Sequence, residues 1–575
     1  MKTKHFILNF MLFVMGFSGY MVAQDIPLSV IDINNVRGSV LGTGNAYSYL
    51  TGNELTWEVP KGSGQSPLFQ YSLWVGGMDI NNQIHLAAHR YNQEGRDFWM
   101  GPLTLDGASS NTLVEAQFEH IWNLTKAQID DFISNHGQPG YEIPEDILTW
   151  PAHGDVSWGY APNLAPFVDV NSDGHYNPED GDYPDIIGDQ CLFFIFNDGL
   201  TNSSNIHTET GGRKLGLEVH AMVYAYDAPD NEYLNNTVFF HYDLINRSTY
   251  EYFGTYVGVW NDWDIGSGTD DYVGCNARLG ACYAYNANAV DEVYGDNPPV
   301  QLCTILAGPY LDPDGIDNPS YSGDCEGFNN YYNTNFGNGI VDDERFGMSR
   351  FMVQSNGNSA IGDPVVAEDY YRTFSGYWKD GTRVMYGGDG YDLTVGPACD
   401  FMFPDDSDPC NFGTDGALPN EGYNVNGKYW TEAEAGNLPQ DRRGLAVMGP
   451  FTYKPDRIHP LDFAMTTVWK TDTQSALDRI EEAVDAVRQK FEEVDWTEVA
   501  EQPMKTDNLL KVYPNPTDDA FTVEGTGRLT VLNALGQQML TRDVDGQATL
   551  NLPAGLYFVR ITNEKGSSVS KVLVK

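Results

Sequence analysis

The stretch Leu217-Glu-Val-His-Ala-Met-Val-Tyr-Ala225 decides the fold class. Its alternate positions are small or aliphatic, and the positions between them are polar or aromatic. This period of two is typical of a β-strand whose two faces differ. Segments 237–244 and 255–260 follow after turn residues such as Pro229 and Asn231. Strands joined by Gly, Asn, Asp and Pro turns predict an antiparallel meander, so we expect a mostly β, sandwich-type body with few helices.

One amphipathic helix is predicted near the end of this body. Ser475 and Asp478 have the spacing of a capping box, and Pro503 stops the chain after the helix. The apolar stripe spans only three heptads, so packing on the body is favoured over a dimerising stalk. The six apolar residues, spaced by three or four positions, are Leu477, Ile480, Val484, Val487, Phe491 and Val494.

The composition excludes several classes of protein. The 575 residues include 33 Lys and Arg against 80 Asp and Glu, which gives a formal net charge of −47. Nucleic acids and anionic lipids attract basic proteins, so the charge argues against both as partners. Aromatic residues make up 13% of the chain, and acidic disordered segments are poor in them, so most of the chain is expected to fold.

The N-terminus has the pattern of an export signal. Lys2 and Lys4 precede an apolar run from Phe6 to Val22, and Ala23 is a small residue suited to cleavage. This pattern predicts a cleaved signal peptide over residues 1–23. The run is shorter and more interrupted than the roughly 20 apolar residues of a membrane-spanning helix, so no transmembrane segment is expected.

Seven cysteines follow this signal, and an oxidising compartment permits disulfides. The odd number leaves at least one thiol outside an intramolecular pair. Cys191 opens an apolar run and is the predicted buried free thiol. The sequence leaves the pairing of the other six open, and the pairs that are near in sequence are Cys275/Cys282, Cys303/Cys325 and Cys399/Cys410.

The segment 169–182 has the spacing of a calcium-binding loop. Oxygen-bearing side chains at alternate positions are followed by a glycine that permits a sharp turn, a carbonyl ligand and a closing carboxylate. The predicted ligands are Asp169, Asn171, Asp173, His175 and Asp180. The loop resembles those of EF-hand and dockerin-like modules, but Tyr176 and Pro178 depart from their pattern. The alternative is a turn stabilised by side-chain-to-backbone hydrogen bonds.

Other acidic clusters are explained more simply as solvated turns in an acidic chain. They could also bind a divalent ion, but their spacing is less specific than that of the loop. They are Asp262, Asp264, Asp270 and Asp271 in one segment, Asp312, Asp314 and Asp317 in a second, and Asp405, Asp406 and Asp408 in a third.

The search for catalytic residues finds little. Glu218 and His220 share one strand face, and His241 and Asp243 share a face on a nearby strand. A carboxylate–imidazole metal site needs the two strands in register, and polar residues on a solvated sheet face are the favoured interpretation. The sequence contains no GxSxG, HExxH, phosphate-loop or dinucleotide-binding fingerprint.

The last 70 residues have their own character. Residues 506–575 hold seven basic and seven acidic residues, so this segment is net neutral and all of the net negative charge lies on residues 24–505. Short alternating segments separated by Gly and Pro turns predict a small C-terminal Ig-like β-sandwich. Its most informative positions are Pro514, Asn515, Pro516, Gly536, Gly555, Tyr557, Lys571 and Lys575.

These positions, in this order, resemble the type A C-terminal sorting domain of type IX secretion cargo in Bacteroidetes. The resemblance implies export through the periplasm of a Gram-negative bacterium by the N-terminal signal, then passage through an outer-membrane translocon. It also implies that a sortase-like protease removes the tail and that the cargo is released or attached to the cell surface. The body, around residues 167–185, 207–212 and 262–264, resembles large uncharacterised cargo proteins that have the same tail. This resemblance of the body implies no known activity.

Four parts are therefore expected. Residues 1–23 are the signal peptide, 24–470 the acidic, mostly β body, 471–505 the amphipathic helix and linker, and 506–575 the sorting domain. The first hypothesis is a calcium-stabilised binding or structural protein, with aromatic side chains suited to a glycan or cell-surface ligand. The alternative is a secreted hydrolase acting on polysaccharide or protein.

Overall fold

Antiparallel strands dominate the structure, which confirms the predicted mostly β fold class. A computed structural model of the chain describes residues 26–47, 55–91, 95–105, 107–110, 112–199, 206–357, 359–391, 396–418, 429–494, 510–517, 520–533, 538–563 and 566–575. The predicted signal peptide and most of the predicted linker before the tail lie outside the described residues.

Twenty strands of the described residues belong to the body. In chain order they are β1 (Leu28–Ile31), β2 (Arg37–Leu41), β3 (Ala46–Tyr47), β4 (Trp57–Glu58), β5 (Gln70–Met78), β6 (Ile84–Ala88), β7 (Trp99–Met100), β8 (Trp122–Thr125), β9 (Phe167–Val168), β10 (Tyr183–Pro184), β11 (Gln190–Asn197), β12 (Leu217–Ala225), β13 (Thr237–Asn246), β14 (Tyr252–Trp263), β15 (Asp271–Asn276), β16 (Ala281–Asn286), β17 (Val300–Ala307), β18 (Arg350–Ser355), β19 (Arg442–Tyr453) and β20 (Ile458–Val468).

The tail adds five strands, and short helices connect parts of the body. The tail strands are β21 (Lys511–Tyr513), β22 (Ala520–Asn533), β23 (Gln538–Asn551), β24 (Gly555–Asn563) and β25 (Gly566–Val574). None of the helices in the described segments has the length and apolar character needed to cross a membrane. These helices are α1 (Thr112–Phe118), α2 (Lys126–Asn135), α3 (Glu145–Leu148), α4 (Glu232–Asn235), α5 (Ala367–Phe374), α6 (Glu432–Ala435) and α7 (Ile480–Glu492).

Two sheets form the sandwich of the body. The larger, called sheet 1, has the strand order β15-β16-β17-β20-β13-β12-β11-β7, and β8 also pairs with β11. Sheet 2 has the order β18-β19-β14-β5-β3, and β6 also pairs with β5. Strand β12, the stretch that decided the fold class, lies inside sheet 1 between β11 and β13.

The inner faces of the two sheets share one apolar core. Val219 and Val223 of β12 and Val257 of β14 are fully buried in the same cluster. Between the sheets, the ring centroids of Tyr71 on β5 and Phe240 on β13 lie 5.3 Å apart. Full burial of each such side chain stabilises the fold by about 1.5–3 kcal/mol. This gain explains why the face of β12 that carries Val219 and Val223 packs against sheet 2.

Helix α7 covers part of the outer face of sheet 1. Its apolar stripe packs against residues of β16, β17 and β20, so the helix lies on the body and not away from it. The first predicted stripe residue, Leu477, is 38% exposed and precedes the α-helix in a 3-10 turn. The buried stripe residues are Ile480, Val484, Val487 and Phe491.

The disulfide joins residues that are distant in sequence. Cys325 and Cys410 are bonded across 85 positions, with Cα atoms 5.4 Å apart. None of the sequence-near pairs is bonded, because pairing depends on Cα separation in the fold and not on spacing along the chain. Cys191 is buried and free, as predicted, and the other free buried thiols are Cys275, Cys282, Cys303 and Cys399.

A buried polar network occupies another part of the outer face of sheet 1. Strand register places His220 opposite Asp243 and His241 opposite Asp462. The Nδ1 atom of His241 lies 2.7 Å from Oδ1 of Asp462, and its Nε2 atom lies 3.6 Å from Oδ1 of Asp243. These four residues are between 1% and 7% exposed, so the expected solvated face is wrong.

Two arginines balance the acids of this network. Arg247 Nη2 lies 2.7 Å from Glu218 Oε1, and Arg345 Nη2 lies 2.8 Å from Asp462 Oδ2. The backbone N–H of Leu103 donates to the Glu218 carboxylate, and Arg345 also donates to the carbonyl of Pro460. The segments that contain Leu103 and Arg345 therefore cover the outer face of sheet 1 at these charged residues. This cover explains why the polar residues of the alternating pattern are buried.

The network shifts the pKa values of its members. Burial opposes a charge on His241, but the carboxylates of Asp462 and Asp243 outweigh burial and raise the pKa of the imidazole to about 10. Burial likewise opposes a charge on Glu218, but Arg247 and His220 lower the pKa of that carboxyl to about 2. The folded network therefore favours a protonated His241 beside ionised acids.

We expect the stabilising contribution of His241 to disappear as the pH rises. The folded-state pKa of about 10 lies above the ordinary value of 6.5, so this contribution is complete below pH 6.5 and is lost towards pH 10. Urea unfolding of the mature chain and of its His241→Gln variant, at about pH 6 and about pH 9.5, measures it. At the lower pH the variant should lose about 3 kcal/mol of unfolding free energy, because buried Asp462 and Asp243 lose a charged partner.

The loss should be clearly smaller at the higher pH. His175→Gln is the matched control, because it removes an exposed imidazole and keeps the backbone carbonyl that is the predicted calcium ligand; it should be about as stable as the wild type at both pH values. An equal loss in the His241 variant at both pH values would contradict the assignment of a charged imidazole.

Candidate functional site

The tail forms a separate five-stranded sheet with its own core. Strand β22 pairs with β21, β23 and β24, and β25 pairs with β24, all in antiparallel fashion. The residues of this core are Phe521, Val523, Leu529, Val531, Val544, Leu550, Tyr557, Val559, Ile561, Val572 and Val574 with Leu510. This core belongs to the tail alone, so the tail has an apolar cluster of its own.

The opening motif of the tail holds its last strand. The Oδ1 atom of Asn515 accepts the backbone N–H of Leu573 at 3.1 Å, and its Nδ2 group donates to the carbonyl of Lys571. The N–H of Thr517 donates to the carbonyl of Leu573, and the N–H of Lys575 donates to the carbonyl of Thr517, both at 2.9 Å. The start and the end of the predicted sorting signal are therefore hydrogen-bonded to each other.

The remaining positions of the predicted sorting signal differ in burial. Gly555 begins β24, and Tyr557, 5% exposed, donates its hydroxyl to the carbonyl of Pro553 at 2.8 Å. Lys571 and Lys575 are exposed at the end of the chain. Pro514 and Pro516 flank Asn515, and Gly536 lies outside the described residues.

The predicted calcium loop lies between β9 and β10, which pair as a short hairpin. Asp169 Oδ2 accepts the N–H of Gly174 at 2.7 Å, and its Oδ1 accepts the N–H of Asp173 at 3.2 Å. The hydrogen bond from Gly174 is the main cause of a lowered pKa at Asp169. Gly174 has a φ of +79°, a conformation that glycine adopts without strain and that the sharp turn requires.

A carboxylate outside the predicted set closes this loop. Asp182 is fully buried, and its two oxygens accept the N–H groups of Val170 and Asn177, each at 2.9 Å. It thereby joins the two ends of the loop. The missed signal was the acid two positions after Asp180, directly before β10.

The predicted ligands of the loop at 169–182 do not bring three charged side chains close together. Among the described residues, no three ligand atoms of His, Cys, Asp or Glu within this loop lie within 4.8 Å of one another. Asp173 Oδ2 accepts from Asn171 Nδ2 at 3.1 Å, and Asp180 Oδ2 accepts from Asn177 Nδ2 at 2.7 Å. The side chains thus satisfy one another, and His175 is exposed.

The weaker acidic clusters are not all solvated turns. Asp262 is 2% exposed and Asp271 is fully buried, so that expectation is wrong for both residues. Asp408 is 5% exposed and accepts the hydroxyl of Tyr331 at 2.6 Å. Burial, with a smaller contribution from the charge of Asp441, raises the pKa of Asp264 to about 7. By contrast, Asp312, Asp314 and Asp317 accept backbone hydrogen bonds at exposed turns.

The catalytic candidates of the sequence all fall within buried groups. Glu218, His220, His241 and Asp243 belong to the network on sheet 1, where their charges are paired internally. Another histidine of the body, His207, is 3% exposed, and its two ring nitrogens lie 2.8 Å from the carbonyls of Leu86 and Asp198. Both nitrogens therefore face acceptors, and the ring joins three segments of the body.

The tail matches a known family. Residues 511–575 match the secretion system C-terminal sorting domain, a match that starts at the first residue of β21. No curated protein matches the chain. The family match coincides with the separate core of the tail and with the clip formed by Asn515. The chain therefore carries a C-terminal sorting domain of type IX secretion, and the protein is secreted or located at the cell surface.

Proposed function

We propose that the mature protein is a calcium-stabilised binding or structural protein of the cell surface or the medium. The observation that carries this proposal is the sorting domain at 511–575, because it assigns the whole acidic body as cargo. Extracellular modules bind calcium with low affinity through oxygen-rich loops, so a loop of this kind suits exported cargo.

The buried network supports a structural role over hydrolysis. A general acid or base must reach the substrate, within hydrogen-bond distance or through one water. Glu218 and His241 are 0% and 5% exposed, and each is engaged with charged partners inside the fold. These groups therefore stabilise the sheet instead of meeting a substrate.

The loop at 169–182 supports the calcium part of the proposal. Asp169 accepts the N–H of the glycine five residues later, and this hydrogen bond fixes the sharp turn that a calcium loop needs. Buried Asp182 holds the ends of the loop together, so a bound ion would have a preformed frame. A calcium ion would replace the contacts from Asn171 to Asp173 and from Asn177 to Asp180, and Asp180 would move towards it.

A glycan or surface ligand fits the few aromatic side chains that face solvent. The structure uses most of its aromatic residues in the core, with Trp57, Trp74 and Trp260 fully buried. Trp158 is 46% exposed in a short 3-10 turn, and it is the most exposed of the described tryptophans. Exposed rings stack on the apolar faces of sugars without a need for charge, so Trp158 is the candidate contact.

Export should depend on the tail and on the Asn515 clip. Deletion of residues 506–575 should leave the body in the periplasm of the native host. Asn515→Ala should lower the amount at the surface and in the medium, because β25 loses two side-chain hydrogen bonds worth about 0.5–1.5 kcal/mol each. Fractionation and immunoblotting measure both effects.

The matched control for the clip is Gln538→Ala, which changes an exposed amide of the tail at the start of β23. It should be exported like the wild type. Normal surface and medium levels of the tail-deleted protein would sink the assignment of residues 506–575 as the address.

Calcium should stabilise the mature chain. Binding to the folded state alone adds about 2.7 kcal/mol at a hundredfold excess over the dissociation constant, so chelation should lower Tm. Asp169→Ala with Asp173→Ala should reduce the difference between calcium and chelator, because both carboxylates are predicted ligands. Differential scanning calorimetry measures it, and magnesium should substitute poorly since it prefers a tighter octahedral shell.

Asp389→Ala is the control for the loop, because Asp389 is an exposed acid in another turn. It should keep the full calcium response. If the double variant responds to calcium like the wild type, the loop at 169–182 is only a turn.

A panel of glycans and peptides separates binding from hydrolysis. We expect retention of the mature protein on at least one surface polysaccharide, with no release of products. Trp158→Ala should weaken retention, while Trp99→Ala, at a partly buried tryptophan, should not do so in a folded variant. Turnover of any panel member by the mature protein, abolished in an acid-to-amide variant, would favour the hydrolase instead.

A further inference from the structure

A second acidic group lies at one end of sheet 2 and contains no residue of the loop at 169–182. Asp262 is in β14, Asp264 directly follows that strand, and Asp441 directly precedes β19. Strands β14 and β19 are neighbours, with Asp262 opposite Arg443. One ligand atom from each of the three carboxylates lies within 4.8 Å of the other two. This is the one such group of three among the described residues.

One carboxylate oxygen of Asp262 is buried without a hydrogen bond. Asp262 is 2% exposed, and its Oδ2 accepts the hydroxyl of Tyr91 at 2.7 Å, but its Oδ1 accepts no hydrogen bond. The Nε atom of Arg443 is 3.2 Å from this Oδ1, yet its single N–H is donated to the Tyr91 hydroxyl at 2.8 Å. Asp441 Oδ1 is also buried without a hydrogen bond. Buried carboxylate oxygens are rarely left so, because their desolvation is costly.

The charges of the group do not balance. Arg443 is the only cation within ion-pair distance of the three carboxylates in the described part of the chain. Asp363, a fourth carboxylate near Arg443, has Arg90 at 3.6 Å. When all three acids are ionised, one guanidinium leaves two negative charges in a largely buried place, and a cation from outside the chain would compensate them.

The geometry suits a hard cation. Carboxylate oxygens are the ligands of calcium, magnesium and manganese, not of soft metals. Calcium binds oxygens at about 2.3–2.6 Å, so two ligands on opposite sides of the ion are up to about 5 Å apart, and magnesium requires a smaller shell. The three oxygens lie within 4.8 Å of one another, which is close enough for them to share one calcium ion.

We propose that Asp262, Asp264 and Asp441 bind a divalent cation, with calcium as the ion whose size and charge fit. The site is independent of the loop at 169–182. A +2 ion would compensate the negative charge of the ionised acids, and it would bind Asp262 Oδ1, which accepts no hydrogen bond and has only its ion pair with Arg443 among the described residues. It would also join the end of β14 to the start of β19 and so stabilise one end of sheet 2.

The turn after β14 seats one of the ligands. A Cβ atom added at Gly268 would lie 1.8 Å from Oδ1 of Asp264, so the carboxylate packs directly against the glycine backbone. Gly268→Ala must therefore displace Asp264 without removing any carboxylate. This substitution tests the position of a ligand separately from its charge.

The test starts from the mature chain carrying Asp169→Ala and Asp173→Ala, so that the loop cannot contribute. After dialysis against chelator, titration calorimetry with calcium should still show one bound ion. Adding Asp264→Asn and Asp441→Asn should weaken this binding at least about tenfold, and Gly268→Ala should weaken it as well. Terbium(III) luminescence, excited through aromatic rings such as Tyr91, should report the same losses.

Thermal melting distinguishes an ion site from a set of structural ion pairs. Without calcium, the Asp264→Asn and Asp441→Asn variant should be at least as stable as its background, because repulsion between carboxylates is relieved. With calcium, the background should become the more stable protein. Asp472→Asn, which neutralises an exposed acid elsewhere, should bind and melt like the background.

Three results would overturn the site. One is a background chain with no bound calcium, and another is unchanged affinity in the Asn variant. The third is an equal loss of Tm in that variant with and without calcium, which would make the group a structural one. If the double variant does not fold, Asp264→Asn alone serves, because Asp264 is only partly buried and forms no ion pair with the residues that the structure describes. The proposal for the loop at 169–182 is tested separately, by the calcium response of the chain that carries only Asp169→Ala and Asp173→Ala.

Discussion

The contact between the inner faces of the two sheets is the interaction on which the rest of the body depends. Phe240 of β13 stacks on Phe463 of β20 with ring centroids 4.4 Å apart, and Tyr71 of sheet 2 meets Phe240 at 5.3 Å. Aromatic pairs of this kind add to the large area that each ring buries. Because these rings fix the inner face, every second residue of β12, β13 and β20 must lie on the outer face, whether it is polar or not.

That constraint explains why charge is buried in this protein. His241 and Glu218 hold outer positions, where covering segments exclude water and the charges have to be balanced from within the fold. The charges of this network nearly balance, because Arg247 and Arg345 form ion pairs with Glu218 and Asp462. The balance is incomplete at Asp262, where one guanidinium faces three carboxylates. The same architecture thus leaves one group satisfied and gives another a reason to bind a cation.

Patterns in the sequence predicted the features that depend on near neighbours. The alternation of β12, the apolar stripe of α7 and the ordered motifs of the tail are all local, and the structure contains each of them. Strand register and long-range approach are not local. The Cys325–Cys410 bond, the burial of the polar network and the arrival of Asp441 beside Asp262 each join distant segments. No spacing rule encodes such meetings, since any of the many acids in this chain could have met any other.

The tail shows how an address can be both local in sequence and dependent on the complete chain. Asn515 and Thr517, near its start, bind Lys571, Leu573 and Lys575 at its end. The opening motif therefore acquires its hydrogen-bond partners only when the last strand is in place. Because the tail core excludes residues of the body, a cut between the end of α7 and the start of β21 would remove the core and the clip together. Such a cut would leave the strands of sheets 1 and 2 unbroken, because the last of them, β20, ends at Val468.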